Sequence, residues 1–181
     1  MAKNLKNIII LFSLLFLYTT IYAEVKVPKE IKFSGETYKQ AYQAGNGATS
    51  DKVTEYLRSG ETLERFEKML SIWEYPNARD KDIFAGNLIK NPYSPYKIIP
   101  GRILENDEST ETMMSLIITA ESASEYNIYR ILMRDGHVVT YQFSYRTYEK
   151  QGTAAYNKWI ESIEKNEPDW FSAVSKMKDI K

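Results

Sequence analysis

The sequence predicts an α+β fold: an antiparallel sheet, a meander with an Asp-Gly hairpin, packed by two central helices and a C-terminal helix. Three observations point to it. Asp135-Gly136 separates two runs rich in Tyr, Ile, Val and Phe, Tyr126–Arg134 and His137–Tyr145, and that dipeptide between such runs is the strongest short-range hairpin signal. Leu63, Phe66, Met69, Leu70 and Trp73 recur at helical spacing, with Glu61, Glu64, Arg65, Glu67 and Lys68 on the other side. Tyr156, Trp159, Ile160 and Ile163 repeat that spacing near the C-terminus, so strands group apart from helices.

The N-terminus reads as an address rather than as part of the fold. Lys3 and Lys6 precede an apolar run from Ile8 to Tyr18, and no acidic residue occurs before Glu24. A charged start, a short apolar core and a small residue before a polar stretch form a secretory signal peptide. A stable anchor needs about 20 apolar residues, and Ile8–Tyr22 falls short of that. Cleavage is expected after Ala23, making 1–23 the signal peptide and 24–181 a single exported globular domain, periplasmic or extracellular. Ile21 is large for its place before the cut, so an uncleaved N-terminal anchor is the alternative. No second run in the mature chain approaches a membrane span.

Residues 24–35, with Pro28 and Gly35 as breakers, suit a leader or an edge strand. Tyr38, Gln40 and Tyr42, then Gly45-Asn46-Gly47, then Val53, Glu55 and Leu57 suit a loose hairpin. Gly45 and Gly47 form a turn and not a phosphate loop, because no third Gly follows and a strand comes next. An amphipathic helix is expected from about Thr62, ended by Pro76-Asn77. Asp80 or Asp82 caps a second helix carrying Ile83, Phe84, Leu88 and Ile89, which stops at Asn91-Pro92. Tyr96–Leu104 is strand-like but interrupted by Pro100-Gly101, which suits an edge or a bulge. Met114, Leu116, Ile118 and Ala120 alternate as a strand ahead of the Asp-Gly hairpin. Gly152–Asn166 is helical, and Pro168 opens a last turn or two bearing Trp170, Phe171, Val174 and Met177.

This order resembles the PsbP-like sandwich, shared by photosystem accessory proteins and by exported bacterial proteins. The segments that carry the resemblance are Glu55-Tyr56-Leu57, the helix Thr62–Met69, the meander Glu111–Tyr145 and the closing helix around Trp159. The resemblance implies an architecture and brings no catalytic residue with it.

Composition removes several chemistries. The 24 basic and 24 acidic residues cancel, without the basic excess that phosphate neutralisation demands, so nucleic acid is not an expected partner. With no Cys and one His, disulfides, thiolate nucleophiles, zinc fingers, iron–sulfur ligands and paired-imidazole sites are excluded. The 43% hydrophobic and 13% aromatic content is too high for a disordered chain.

Few residues are left to carry chemistry. Strand alternation about Asp135-Gly136 places Arg130, Arg134, His137 and Tyr141 on one face. Two guanidiniums, an imidazole and a phenol suit a carboxylate or phosphate ligand. The competing reading lays Arg130 over Tyr141 as a cross-strand cation–π pair, with His137 an exposed residue beside the turn. Glu105, Asp107, Glu108 and Glu111 crowd one loop, but the EF-hand glycine and its last bidentate Glu are missing, so a solvated loop is expected and no metal. There is no nucleophile elbow, and no cofactor is expected. Of the 14 Tyr, all but Tyr18 and Tyr22 follow Ala23; tyrosines left exposed on the meander would suit a protein or glycan partner. The expected function is therefore a non-catalytic exported domain that binds an envelope or secreted protein. A small-anion carrier using Arg130, Arg134 and Tyr141 is the first alternative, and a carboxylate-dependent hydrolase the second.

Overall fold

The computed structural model describes residues 27–90, 97–105 and 110–177. Cleavage at Ala23, the helix stop at Asn91-Pro92 and the centre of the acidic loop, with Asp107 and Glu108, lie outside the described residues. The fold is α+β, an open eight-stranded antiparallel sheet with two helices. In chain order the elements are β1 (Glu30–Phe33), β2 (Glu36–Ala44), β3 (Lys52–Leu57), β4 (Lys68–Tyr75), α1 (Lys81–Ile89), β5 (Lys97–Glu105), β6 (Glu111–Thr119), β7 (Ser124–Arg134), β8 (His137–Thr147) and α2 (Ala154–Ser175). The sheet order is β1-β2-β3-β4-β8-β7-β6-β5. Two four-stranded meanders therefore meet along β4 and β8, whose rungs run from Lys68↔Tyr145 to Tyr75↔Val138.

Two hairpins have the same turn. Ser34-Gly35 and Asp135-Gly136 both place consecutive residues at positive φ, 47° and 79° in the first and 47° and 76° in the second. That pair of angles matches the strand twist. It sets Phe33 opposite Glu36 and Arg134 opposite His137. The Asp-Gly hairpin is as predicted. The Ser-Gly turn makes β1 an edge strand, one of the two forms expected of residues 24–35.

The sheet is strongly curled. Phe33 on β1 stacks on Phe143 on β8 with ring centroids 5.0 Å apart, although β2, β3 and β4 lie between their strands. In a flat sheet four strand spacings amount to roughly 19 Å, so the sheet must bend toward this face. Trp170 of α2 lies 5.0 Å from Phe143 and 5.0 Å from Tyr145. The concave face is thus filled by α2 and closed by the β1–β2 hairpin, around Tyr38, Tyr56, Leu70, Ile128, Tyr141 and Phe143.

Three expectations are corrected. The helix from Thr62 does not form: Lys68–Tyr75 is strand β4, and Leu63 and Phe66 lie in the loop before it. The run is buried on both faces, Leu70 and Ile72 in the concave core and Met69 against Leu57 and Phe66 on the other side. A strand buried on both faces loses its polar alternation, and its apolar positions then match a helical period equally well. One central helix exists where two were expected, and one of the four segments behind the PsbP-like resemblance is lost. Finally, Pro168 does not start a new turn. It sits inside the continuous α2, whose buried Trp159 and Ile163 before it and Trp170, Phe171 and Val174 after it hold both halves on one core.

The remaining elements follow local chemistry. Asp80 caps α1, accepting from the backbone N–H of Asp82 at 2.8 Å and of Ile83 at 3.0 Å. Lys81, only 7% exposed, ties that end to β6 by donating to Thr112 Oγ1 at 3.2 Å. Thr153 caps α2. β5 is both an edge strand and bulged, its register slipping between Pro100 and Ile103. A Cβ on Gly101 would sit 2.5 Å from Ser115 Oγ, so only Gly lets the bulge approach β6.

Candidate functional site

The Asp-Gly hairpin brings the predicted residues together on the concave face. Arg130 stands opposite Tyr141 and Arg134 opposite His137. The surroundings differ from an open patch. Arg130 Nε donates to Glu111 Oε2 at 2.6 Å and its Nη1 to the Met177 carbonyl at 2.7 Å, while the guanidinium lies 5.7 Å from the Tyr141 ring centre. The negative end of the α2 dipole and one carboxylate are therefore the anionic partners this guanidinium already has. Tyr141 is fully buried, and His137, expected to be exposed beside the turn, is 3% exposed. Val138 on the strand accounts for this, since its N–H donates to the Ala78 carbonyl at 3.0 Å and the 76–80 segment folds over the hairpin's start. Arg134 is half-buried, and its Nη1 is buried without a hydrogen-bond partner among the described residues.

Glu111 of the acidic loop is spent on Arg130. Among the described residues no group of three His, Asp or Glu is placed to hold a metal ion.

A cleft of about 490 Å³ opens between the β1–β2 hairpin and α2, lined by Glu36, Lys68, Asn166, Asp169 and Trp170 among others. Two of its carboxylates, Glu36 and Glu67, belong to an ion network. Arg58 bridges Glu36 at 2.8 Å, Glu61 at 2.6 Å and Glu67 at 2.8 Å, and Lys68 reaches Glu36 at 2.9 Å. Burial alone raises the Glu36 carboxyl, but the hydrogen bonds from Arg58 and Lys68 outweigh it and hold it below the usual carboxylate range. A carboxylate kept ionised is poorly matched to general-acid work.

The convex face carries what the sequence reading missed. α1 covers the β5–β7 corner, packing Ala85, Phe84 and Leu88 on Met114, Leu116, Tyr129 and Ile131. The β3–β4 loop covers another corner, with Arg146 3.8 Å over the Phe66 ring. α1 also reaches the end of β4, where Phe84 lies 4.5 Å from the Tyr75 ring; from there back over β2, β3 and the rest of β4 no described helix lies on this face. Cross-strand rungs align Tyr42, Glu55, Ser71 and Gln142 in one row and Val53, Trp73 and Thr140 in the next. Tyr42 is 44% exposed, and Glu55, Trp73, Tyr75 and Gln142 are half-buried. The Trp73 and Tyr75 rings are nearly parallel, 8° apart with centroids at 5.8 Å.

Polar contacts tie neighbouring strands together on this face. Asn127 Oδ1 accepts from Gln142 Nε2 at 2.7 Å and from Ser144 Oγ at 2.7 Å, and Arg146 pairs with Glu125 at 2.6 Å. Burial, then the neighbouring Glu125 charge, holds the Glu55 carboxyl above its ordinary range, with Arg146 opposing. The signal for the face was the alternation Ser71, Trp73, Tyr75, which assignment of that segment to a helix concealed.

No helix of the described residues is long and apolar enough to cross a membrane. No curated protein matches the sequence. A protein-family model matches it over residues 25–178, well beyond half of the chain.

Proposed function

We propose, for a chain that belongs to the family matched over residues 25–178, an exported, non-catalytic domain that binds a protein partner on the uncovered convex face. The observation that carries this reading is the patch of Tyr42, Glu55, Trp73 and Gln142, in two adjacent rows on the part of the sheet that no described helix covers. Tyr and Trp are the residues that interfaces enrich, because they give a large contact area at low entropy cost. Hydrogen bonds that join Gln142 and the neighbouring Ser144 to Asn127 hold one side of the patch in place, so little side-chain freedom is lost there on docking. The N-terminal signal-like segment supports the exported setting.

The test is affinity purification from the native envelope with the wild-type protein and with a Tyr42→Ala/Trp73→Ala variant that melts as the wild type does. A partner retained by the wild type and lost by the variant supports the reading. No recovery above background, or equal recovery by both, overturns it.

A second reading, an anion carrier, is favoured by one observation: among the described residues the buried Nη1 of Arg134 has no hydrogen-bond partner. Calorimetric titration with inorganic phosphate and with acetate tests it. Heat of binding that disappears in Arg134→Ala supports a carrier, and a flat titration removes it.

A further inference from the structure

We propose that β5 pairs antiparallel with the β5 of a second copy of this chain, about a two-fold axis through its bulge. The two sheet edges are built differently. β1 is a four-residue strand whose exposed positions are Glu30 and Lys32, a short, charged edge of the kind that resists pairing. β5 has nine residues, and it carries three of the six large hydrophobics exposed among the described residues: Ile99 at 42%, Ile103 at 50% and Leu104 at 41%. Its exposed charges are Lys97 at one end and Arg102, whose guanidinium lies 5.1 Å from the Phe171 ring centre on the concave side.

The order of residues along this edge selects a second copy over an unrelated strand. The rungs to β6 are Ile99↔Ile117 and Pro100↔Leu116 on one side of the bulge, and Ile103↔Met114 and Leu104↔Met113 on the other. The bulge occupies the single rung between them, at Ser115, which fixes it by accepting from the Arg102 N–H at 3.0 Å. A two-fold axis at that rung sets Ile99 against Leu104 of the second copy on the concave side. It sets Pro100 against the second copy's Ile103 on the convex side. An isologous contact requires this, residue i meeting j and j meeting i. Each strand gives up one donor at Pro100, which has no N–H. The axis is perpendicular to the sheet, so both convex faces point the same way and the dimer presents the binding face proposed above twice. The pairing does not depend on that proposal.

Because the chain contains no Cys, disulfide trapping reads the register directly. Ile99 and Leu104 are too far apart along one strand to be bridged within a copy. Under mild oxidation the Ile99→Cys/Leu104→Cys protein should run mainly as a covalent dimer, and either single variant mainly as monomer. Sedimentation equilibrium of the wild-type protein should give twice the chain mass, and an Ile103→Lys/Leu104→Lys variant with an unchanged circular-dichroism melt should give the chain mass. A wild type that stays monomeric, or a double-Cys protein that fails to cross-link, overturns the pairing and leaves the convex-face reading to its own test. A dimer that survives the two lysines overturns it equally.

Discussion

Arg130 on β7 donates to the carbonyl of Met177, one residue past the C-cap of α2, at 2.7 Å. A strand residue thereby closes a helix that covers the concave face, and Glu111 fixes the guanidinium from β6. Charge-assisted hydrogen bonds of this kind contribute about 1.5–3 kcal/mol each when their partners are partly buried.

Arg130→Ala should therefore lower the melting temperature by several degrees, a loss of about 3 kcal/mol or more. Thermal denaturation followed by circular dichroism checks it. A melt identical to wild type would show that the contacts with Met177 and Glu111 carry no stability and would return Arg130 to the ligand-binding alternatives.

Phe33 closes the curl through its stack on Phe143, so Phe33→Ala should cost about 3–5 kcal/mol, as for other buried Phe truncations. The measurement is urea unfolding. The midpoint should fall, and amide exchange should speed up first in β1 and β2, since the hairpin loses the ring that it stacks on Phe143 of β8.

Gly101→Ala should destabilise by about 1–3 kcal/mol, the usual cost of overpacking, because the new methyl meets Ser115 Oγ and, at 3.0 Å, the Ser115 backbone oxygen. Ser115→Ala in the same background should recover part of the loss, leaving the backbone contact. Calorimetric melts of the two variants and the double variant give the comparison.

Glu55 gives a pH signature of definite sign. Its carboxyl is held above the ordinary range, so the folded state binds this proton more tightly than the unfolded state does. The stability it contributes is present below the unfolded carboxylate value and is lost as pH rises through the raised folded value. Glu55→Gln should therefore melt higher than wild type at pH 7 and no higher near pH 4. Glu36 and Glu61 lie on the other side of the balance. For both, burial raises the carboxyl, and hydrogen bonds, first from Arg58, outweigh it. Their contribution is present above the unfolded value and is lost as pH falls, so Arg58→Ala should remove part of the acid limb of the stability profile.

Local signals made much of this molecule legible from its residues. The Asp135-Gly136 hairpin, the β2–β3 pairing, the bulged edge at Pro100-Gly101 and the Asp80-capped helix each rest on chemistry within a few neighbours: positive φ, a missing N–H, a side-chain cap. The same locality put Arg130 beside Tyr141, because strand register follows from the turn.

What lay between distant segments was not legible. Met69 to Tyr75 reads as a helix until β3 and β8 are placed on either side of it, because burial on both faces erases the alternation that marks a strand. Whether Arg130 meets a ligand or a helix end depends on where α2 comes to rest, and that follows from Trp170 and Phe171 packing into a curl closed by Phe33. The strands of the C-terminal meander, the cap of the central helix, the bulged edge and the missing chemistries of a chain with no Cys and one His are written in the residues themselves. The join of the two meanders along β4 and β8, the face left uncovered and the charges already paired belong to the assembled fold. Turns and caps are settled by neighbouring residues, whereas burial and pairing are set by contacts between segments far apart in the chain.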